Sequence, residues 1–146
     1  MVTLISRSPE ETLALGQAWG RVAPERWVLG LSGDLGAGKT QLVKGLAQGL
    51  GVTARVHSPT FAILNQYEGG RLSLAHLDLY RLDTAAQLRS AGLEDYLLSP
   101  RGIVLVEWFE RWEASGMPAP EGALRRASLT VIGEQERQIE YEDAGA

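Results

Sequence analysis

The sequence predicts an α/β fold, with a mixed parallel and antiparallel sheet flanked by helices. Three observations carry that prediction. Trp27-Val28-Leu29-Gly30-Leu31 is a short continuous apolar run, as in a strand buried on both faces of a parallel sheet, and a glycine-rich turn with a helical pattern follows it at once. Ile103-Val104-Leu105-Val106 is a second such run, ending in Glu107 and Trp108. Strand-like segments around residues 68–71 and 133–134 carry turn residues at their tips, and such hairpins make part of the sheet antiparallel.

Each element has its own signal. Residues 2–5 read as a short first strand. Ser8-Pro9-Glu10-Glu11 then reads as a helix start, with a cap, a first-turn proline and acids near the positive helix end. Leu13, Ala14, Ala18 and Val22 give that helix an apolar stripe, and Pro24 falls in the loop after it. Leu42, Val43, Leu46, Ala47 and Leu50 mark one face of a helix over residues 39–50, which Gly51 is placed to stop. Strands are expected over 61–67 and 72–77, and mostly helix over 85–98 with a break at Gly92. After a loop at 118–121, strands are expected over 124–132 and 137–141. The chain reads as one domain over residues 1–146, with a short frayed acidic tail at about 143–146.

Composition narrows the function classes. With 146 residues, 45% hydrophobic and 22% charged, the chain suits one compact soluble domain. No apolar run approaches the roughly 20 residues that span a bilayer, and residues 1–7 do not read as a secretory signal. There is no cysteine, which removes disulfides and thiolate metal sites. These features point to the cytoplasm. A net charge of −4 without a basic block assigns any RNA role to action through a partner rather than to a long direct footprint.

The strongest chemical signal is Gly33-Asp34-Leu35-Gly36-Ala37-Gly38-Lys39-Thr40, set between strand and helix as a phosphate-binding P-loop requires. Glycines at 33, 36 and 38 let the backbone turn its N–H groups onto phosphate oxygens. The following helix aims its positive end at the same anion. Lys39 can set a charge on the terminal phosphates, and the Thr40 hydroxyl can ligate Mg2+. The fold class is therefore P-loop NTPase-like and the expected ligand is ATP with Mg2+. Asp34 reads equally as a solvated loop acid.

A P-loop binds nucleotide, but hydrolysis also needs an acid to order the metal and a group to position water. His76-Leu77-Asp78-Leu79-Tyr80-Arg81 ends a strand, where α/β folds place their ligands. Asp78 could hold magnesium directly or through water, or be a surface carboxylate. Tyr80 and Arg81 could brace the loop or face a partner. His76 could share a strand face with Asp78, though a structural hydrogen bond is its better reading. Ile103-Val104-Leu105-Val106-Glu107 has a Walker-B pattern with glutamate in place of the commoner aspartate, so Glu107 could orient the attacking water or help hold the metal. Trp108 beside it fits core packing, a place near the nucleotide or an interface. In Ser58-Pro59-Thr60-Phe61, Thr60 resembles a switch-loop threonine that senses the terminal phosphate through magnesium.

The ordered set GDLGAGKT, SPTF, HLDLYR and VLVEW resembles the TsaE family, bacterial ATPases of threonylcarbamoyladenosine synthesis in transfer RNA. The resemblance runs from Glu10-Glu11-Thr12 to the strand after Pro118. It implies that Lys39 and Thr40 hold phosphate and magnesium, that Thr60 lies in a switch-like loop, and that Asp78 is a metal-site acid. Glu107 would be the hydrolytic carboxylate with Trp108 next to it. The implied partners are TsaD and TsaB, through which the chain would meet tRNA indirectly. Gln41 departs from the pattern, where a second small hydroxyl residue is expected.

Other classes fit less well. A small-molecule kinase usually adds a lid and an arginine-rich acceptor site, and Arg81, Arg89, Arg101 and Arg111 do not cluster as one. A GTP switch would carry Asn-Lys-x-Asp, but the only asparagine is Asn65. Glu107 argues against a nucleotide-binding scaffold without catalysis.

Overall fold

The computed structural model describes residues 1–34, 37–53, 64–80, 82 and 84–144, apart from the side chain of Ala85. In chain order the elements are β1 (Val2–Ser6), α1 (Pro9–Val22), β2 (Trp27–Ser32), α2 (Lys39–Leu50), β3 (Leu64–Tyr67) and β4 (Leu74–Asp78). They continue with α3 (Ala85–Ser90), α4 (Glu94–Leu98), β5 (Ile103–Glu107), α5 (Phe109–Ala114), β6 (Leu124–Val131) and β7 (Arg137–Ala144). The strands form one seven-stranded sheet in the order β1-β7-β6-β2-β5-β4-β3. The central strands β6, β2, β5 and β4 run parallel, and β3, β7 and β1 pair antiparallel at the flanks. This is the mixed sheet the sequence predicts.

Alternation along the central strands splits the core between the two sheet faces. Leu29, Leu31, Ile103 and Leu105 pack under α1 and α2. Val28, Val104 and Val106 face the opposite way, with Leu88, Leu97, Phe109 and Trp112 from α3, α4 and α5. No helix among the described residues is long and apolar enough to cross a membrane.

Most predicted elements lie where the residues place them. The Ser8 side chain accepts from Glu11 N, Pro9 opens α1, and Gly51 ends α2 at φ 85°. The first strand of the hairpin is described only from Leu64, so residues 61–63 of the predicted strand lie outside the described residues. The helix expected over 85–98 is two short helices, α3 and α4, on either side of Gly92.

Three expectations need correction. On α1, Ala14 and Ala18 are exposed and Val22 keeps 78% of its surface; Thr12, Gly16, Trp19 and Gly20 are buried instead. The reason is a close helix crossing. A Cβ built on Gly16 would lie 2.3 Å from Leu42 O, and one on Gly45 would lie 2.1 Å from Leu13 O. Gly20 and Gly49 meet the opposite backbones as tightly. The inward face of α1 is thus marked by small residues rather than by its apolar stripe. The tail is not frayed at residues 143 and 144, because β7 runs to Ala144 beside β6. Asp143 accepts from Arg125 Nε at 2.6 Å and Nη2 at 2.9 Å, and that hydrogen bond lowers its pKa. The Arg125 guanidinium lies over the Trp19, Trp27 and Tyr141 rings. Finally, α5 was not expected, and it begins at once after Trp108.

Candidate functional site

The turn between β2 and α2 has the backbone that its glycines predict. Gly33 has φ 144° and Gly38 has φ 96°, both in a region that side chains disfavour. At Gly33 a Cβ would also lie 2.7 Å from Leu129 O, so the turn is closed to any larger residue. No side chain caps α2 and no acid stands in its first turn, so its N-terminal N–H groups keep their affinity for an anion. Lys39 is buried; its Nζ donates to Gly33 O at 2.6 Å and lies 4.4 Å from the Trp108 ring centroid. Ala37 is buried in the core, and its N–H donates to Asp34 O, while Asp34 itself is exposed.

The acids arrive from two neighbouring parallel strands. Asp78 closes β4 and Glu107 closes β5, and the two are register partners. Burial raises the Asp78 pKa above its ordinary value; the Tyr80 N–H, donating at 2.9 Å, opposes this, the nearby Glu107 charge adds to it, and His76 and Lys39 oppose it. Glu107 is 4% exposed, and His76 Nε2 lies 2.7 Å from its Oε2. The structural hydrogen bond expected of His76 is therefore made to the candidate hydrolytic carboxylate.

These groups meet in a cavity of about 330 Å³ at the carboxyl ends of the parallel strands. Gly38, Lys39, Thr40, Gln41, Asp78, Glu107 and Trp108 all line it. Gly33, Asp34 and Ala37 belong to the turn but do not line it. Leu35, Gly36, Thr60 and Arg81 lie outside the described residues. The donor set suits magnesium: Thr40, Asp78 and Glu107 offer only oxygens, and among the described residues no group of three or more His, Asp or Glu could hold a metal alone. Magnesium is commonly held by one or two carboxylates with water and substrate phosphates.

Sequence reasoning missed four lining residues, Pro9, Thr12, Gln135 and Arg137. Pro9 and Thr12 reach the cavity because the glycine crossing lays α1 against α2, and Gln41 Nε2 donates to Pro9 O at 3.4 Å. Gln135 and Arg137 come from the β6–β7 turn, where Arg137 Nη1 donates to Gly133 O and Glu136 O. The glycine spacing on the two helices was the available signal for the first pair; nothing local in the sequence marks the second.

Trp108 has φ 60°, a conformation uncommon for a residue with a side chain and often found at functional sites. Its ring meets Tyr80 at 5.1 Å and the Arg111 guanidinium at 5.5 Å. The wall of the cavity beside Lys39 is thus an aromatic ring held by a tight strand-to-helix turn.

Known proteins are similar to this one over most of the chain. A crystal structure of YdiB from Bacillus subtilis superposes with a TM-score of 0.77 at 34% identity, covering 99% of this chain and 86% of that one. The tRNA threonylcarbamoyladenosine biosynthesis protein TsaE of Bacillus subtilis is 39% identical over 94% of this chain and 83% of its own. The protein of that name from Nostoc sp. is 42% identical over 96% of this chain and 85% of its own, and the one from Treponema pallidum is 39% identical over 92% and 96%. The family model described as threonylcarbamoyl adenosine biosynthesis protein TsaE matches residues 6–139. With a glycine-rich turn before α2, two strand-end acids and this likeness from β1 to β7, the chain belongs to the TsaE family.

Proposed function

We infer that the chain is a magnesium-dependent ATPase serving the threonylcarbamoyladenosine modification of tRNA, working in the cytoplasm with TsaD and TsaB and meeting tRNA through them. The observation that supports this most is the convergence of Lys39, Thr40, Asp78 and Glu107 on one cavity beside an uncapped helix N-terminus.

In this reading the backbone N–H groups of the turn and the α2 N-terminus bind the nucleotide phosphates. Lys39 exchanges its hydrogen bond to Gly33 O for a terminal phosphate oxygen, which needs only rotation of its own side chain. Thr40 and Asp78 hold magnesium, with Glu107 close enough in register to assist. Magnesium, when bound, neutralises charge on the transferring phosphoryl group. Glu107 orients a water molecule and takes its proton as it attacks. Trp108 shields Lys39 from solvent and keeps the lysine aimed along the turn.

Isothermal titration with ATP and magnesium tests the proposal: the wild-type chain should bind, and Lys39→Ala or Thr40→Ala should abolish productive binding. Wild-type affinity in both variants would remove the P-loop from the account.

A further inference from the structure

We propose that His76 is a positioning residue for hydrolysis, holding the Glu107 carboxylate in place from beneath the cavity; this rests on the ATPase reading above. His76 and Glu107 are 0% and 4% exposed, and their contact is 2.7 Å, short for a nitrogen–oxygen hydrogen bond. A carboxylate that is to take a proton from water must be the acceptor in this contact, which makes His76 Nε2–H the donor in the proposal. Glu107 lines the cavity and His76 does not. The imidazole does not line the cavity, so it acts on nucleotide or metal only through the Glu107 carboxylate.

The sheet register shows why the hold is needed. Glu107 pairs with Asp78, and His76 stands two residues earlier on β4, opposite Leu105. Period-two alternation puts His76 and Asp78 on one face, the face covered by α2. A glutamate at the last position of a strand has three free torsions, and the chain turns away from it at once through Trp108 at φ 60°. Without a partner its carboxylate could swing among rotamers, and misplacement by about 1 Å can cost on the order of a hundredfold in rate. The bond from His76 removes that freedom.

A purely structural histidine is the competing account, and the burial argues against it. Among the described residues His76 Nδ1 is buried without a hydrogen-bond partner. Its neighbour across the β3–β4 pair, Asn65, likewise has a buried and unpartnered Nδ2. Leaving buried polar atoms unmet costs stability, so an aliphatic residue beside Leu105 would pack this face at less cost. A costly imidazole whose one side-chain hydrogen bond among the described residues goes to the hydrolytic carboxylate is explained by what that bond does.

The test is a double-mutant cycle on single-turnover ATP hydrolysis, in the complex with TsaD and TsaB, with ATP affinity measured alongside. In His76→Asn the amide is too short to reach Glu107; the hydrolysis rate should fall roughly 10- to 100-fold, with ATP affinity within about threefold of wild type. In His76→Gln the side-chain amide N–H sits near the reach of imidazole Nε2, and most of the rate should return. In a Glu107→Gln background, His76→Asn should slow hydrolysis no further, because the two residues act as one unit. A merely structural His76 predicts the reverse: equal losses in the Asn and Gln variants, tracking the melting temperature, and additive effects with Glu107→Gln. That result, or a wild-type rate in His76→Asn, overturns the inference alone. No hydrolysis by the wild-type complex overturns the ATPase reading and the inference with it.

Discussion

Lys39, Asp78 and Glu107 stand within one cavity, yet their environments assign them different work. Lys39 rests on a backbone carbonyl and an aromatic ring, ready to exchange one acceptor for another. Asp78 is partly buried with its pKa raised chiefly by desolvation, so its charge works against the fold. For an acid raised in this way, stability is greater at low pH and falls as pH rises from the ordinary value of 3.8 through the folded-state value. Asp78→Asn should therefore melt at a higher temperature than wild type at neutral pH, the gain shrinking below that ordinary value, while magnesium dependence of ATP binding weakens. Equal melting curves at both pH values would contradict the desolvation argument. Glu107→Ala should keep ATP binding and lose a hundredfold or more in hydrolysis, on the scale of general-base loss. If Asp78→Ala and Glu107→Ala behave identically, the division of roles fails. Trp108 should report the nucleotide by fluorescence through its contact with Lys39, and the signal should vanish in Trp108→Phe despite Trp19, Trp27 and Trp112. Gly38, Lys39 and Thr40 could be proposed from sequence because a phosphate cradle imposes a fixed spacing, and Asp78 and Glu107 because each ends a strand. The His76 contact to Glu107 was not, because 31 residues separate them and only the β4–β5 register joins them.

At the scale of elements, the helix pair α1 and α2 decides how the cavity is walled. Gly16 and Gly20 on one helix and Gly45 and Gly49 on the other bring the backbones into contact, and that contact delivers Pro9 and Thr12 to the site. Two effects oppose each other in Gly45→Ala. Helix propensity alone predicts a gain of about 1 kcal/mol. The added Cβ would lie 2.1 Å from Leu13 O, a backbone atom that cannot step aside, and overpacking of this kind costs about 1–3 kcal/mol or more. Net destabilisation is expected, read as a lower denaturant midpoint, together with weaker ATP binding as α1 shifts; a stabilised variant would contradict the crossing. The α1 face was misread from sequence because apolar periodicity marks large buried side chains, whereas Trp19 is the only large one among the buried residues of α1. α5 was missed because Phe109 and Trp112 are its only buried positions, too few to show a period. By contrast β2 and β5 were readable from unbroken apolar runs, and α2 from an apolar stripe at helical spacing.

Across the whole molecule, the candidate site lies at the carboxyl ends of β4 and β5, beside the turn that follows β2, and the antiparallel strands extend the sheet on both sides. The mixed sheet followed from order and period; the strand order, and the place of Gln135 and Arg137 beside the start of α2, came only from the folded chain. Fast hydrolysis by a P-loop protein usually requires a further cation against the transition-state charge, supplied within the chain or by a partner. Arg137 lines the cavity but its guanidinium donates to the carbonyls of its own turn, so it braces that turn. The chain alone is accordingly expected to turn over slowly, and its net charge of −4 argues that RNA by itself is not the activator. The most direct measurement is steady-state phosphate release from ATP and magnesium by the chain alone, with tRNA, and with TsaD and TsaB. The account predicts slow release alone, little change with tRNA, marked acceleration with both proteins, and loss of the accelerated rate in Glu107→Ala. Full-speed release by the chain alone, unchanged by the proteins or surviving Glu107→Ala, would contradict it.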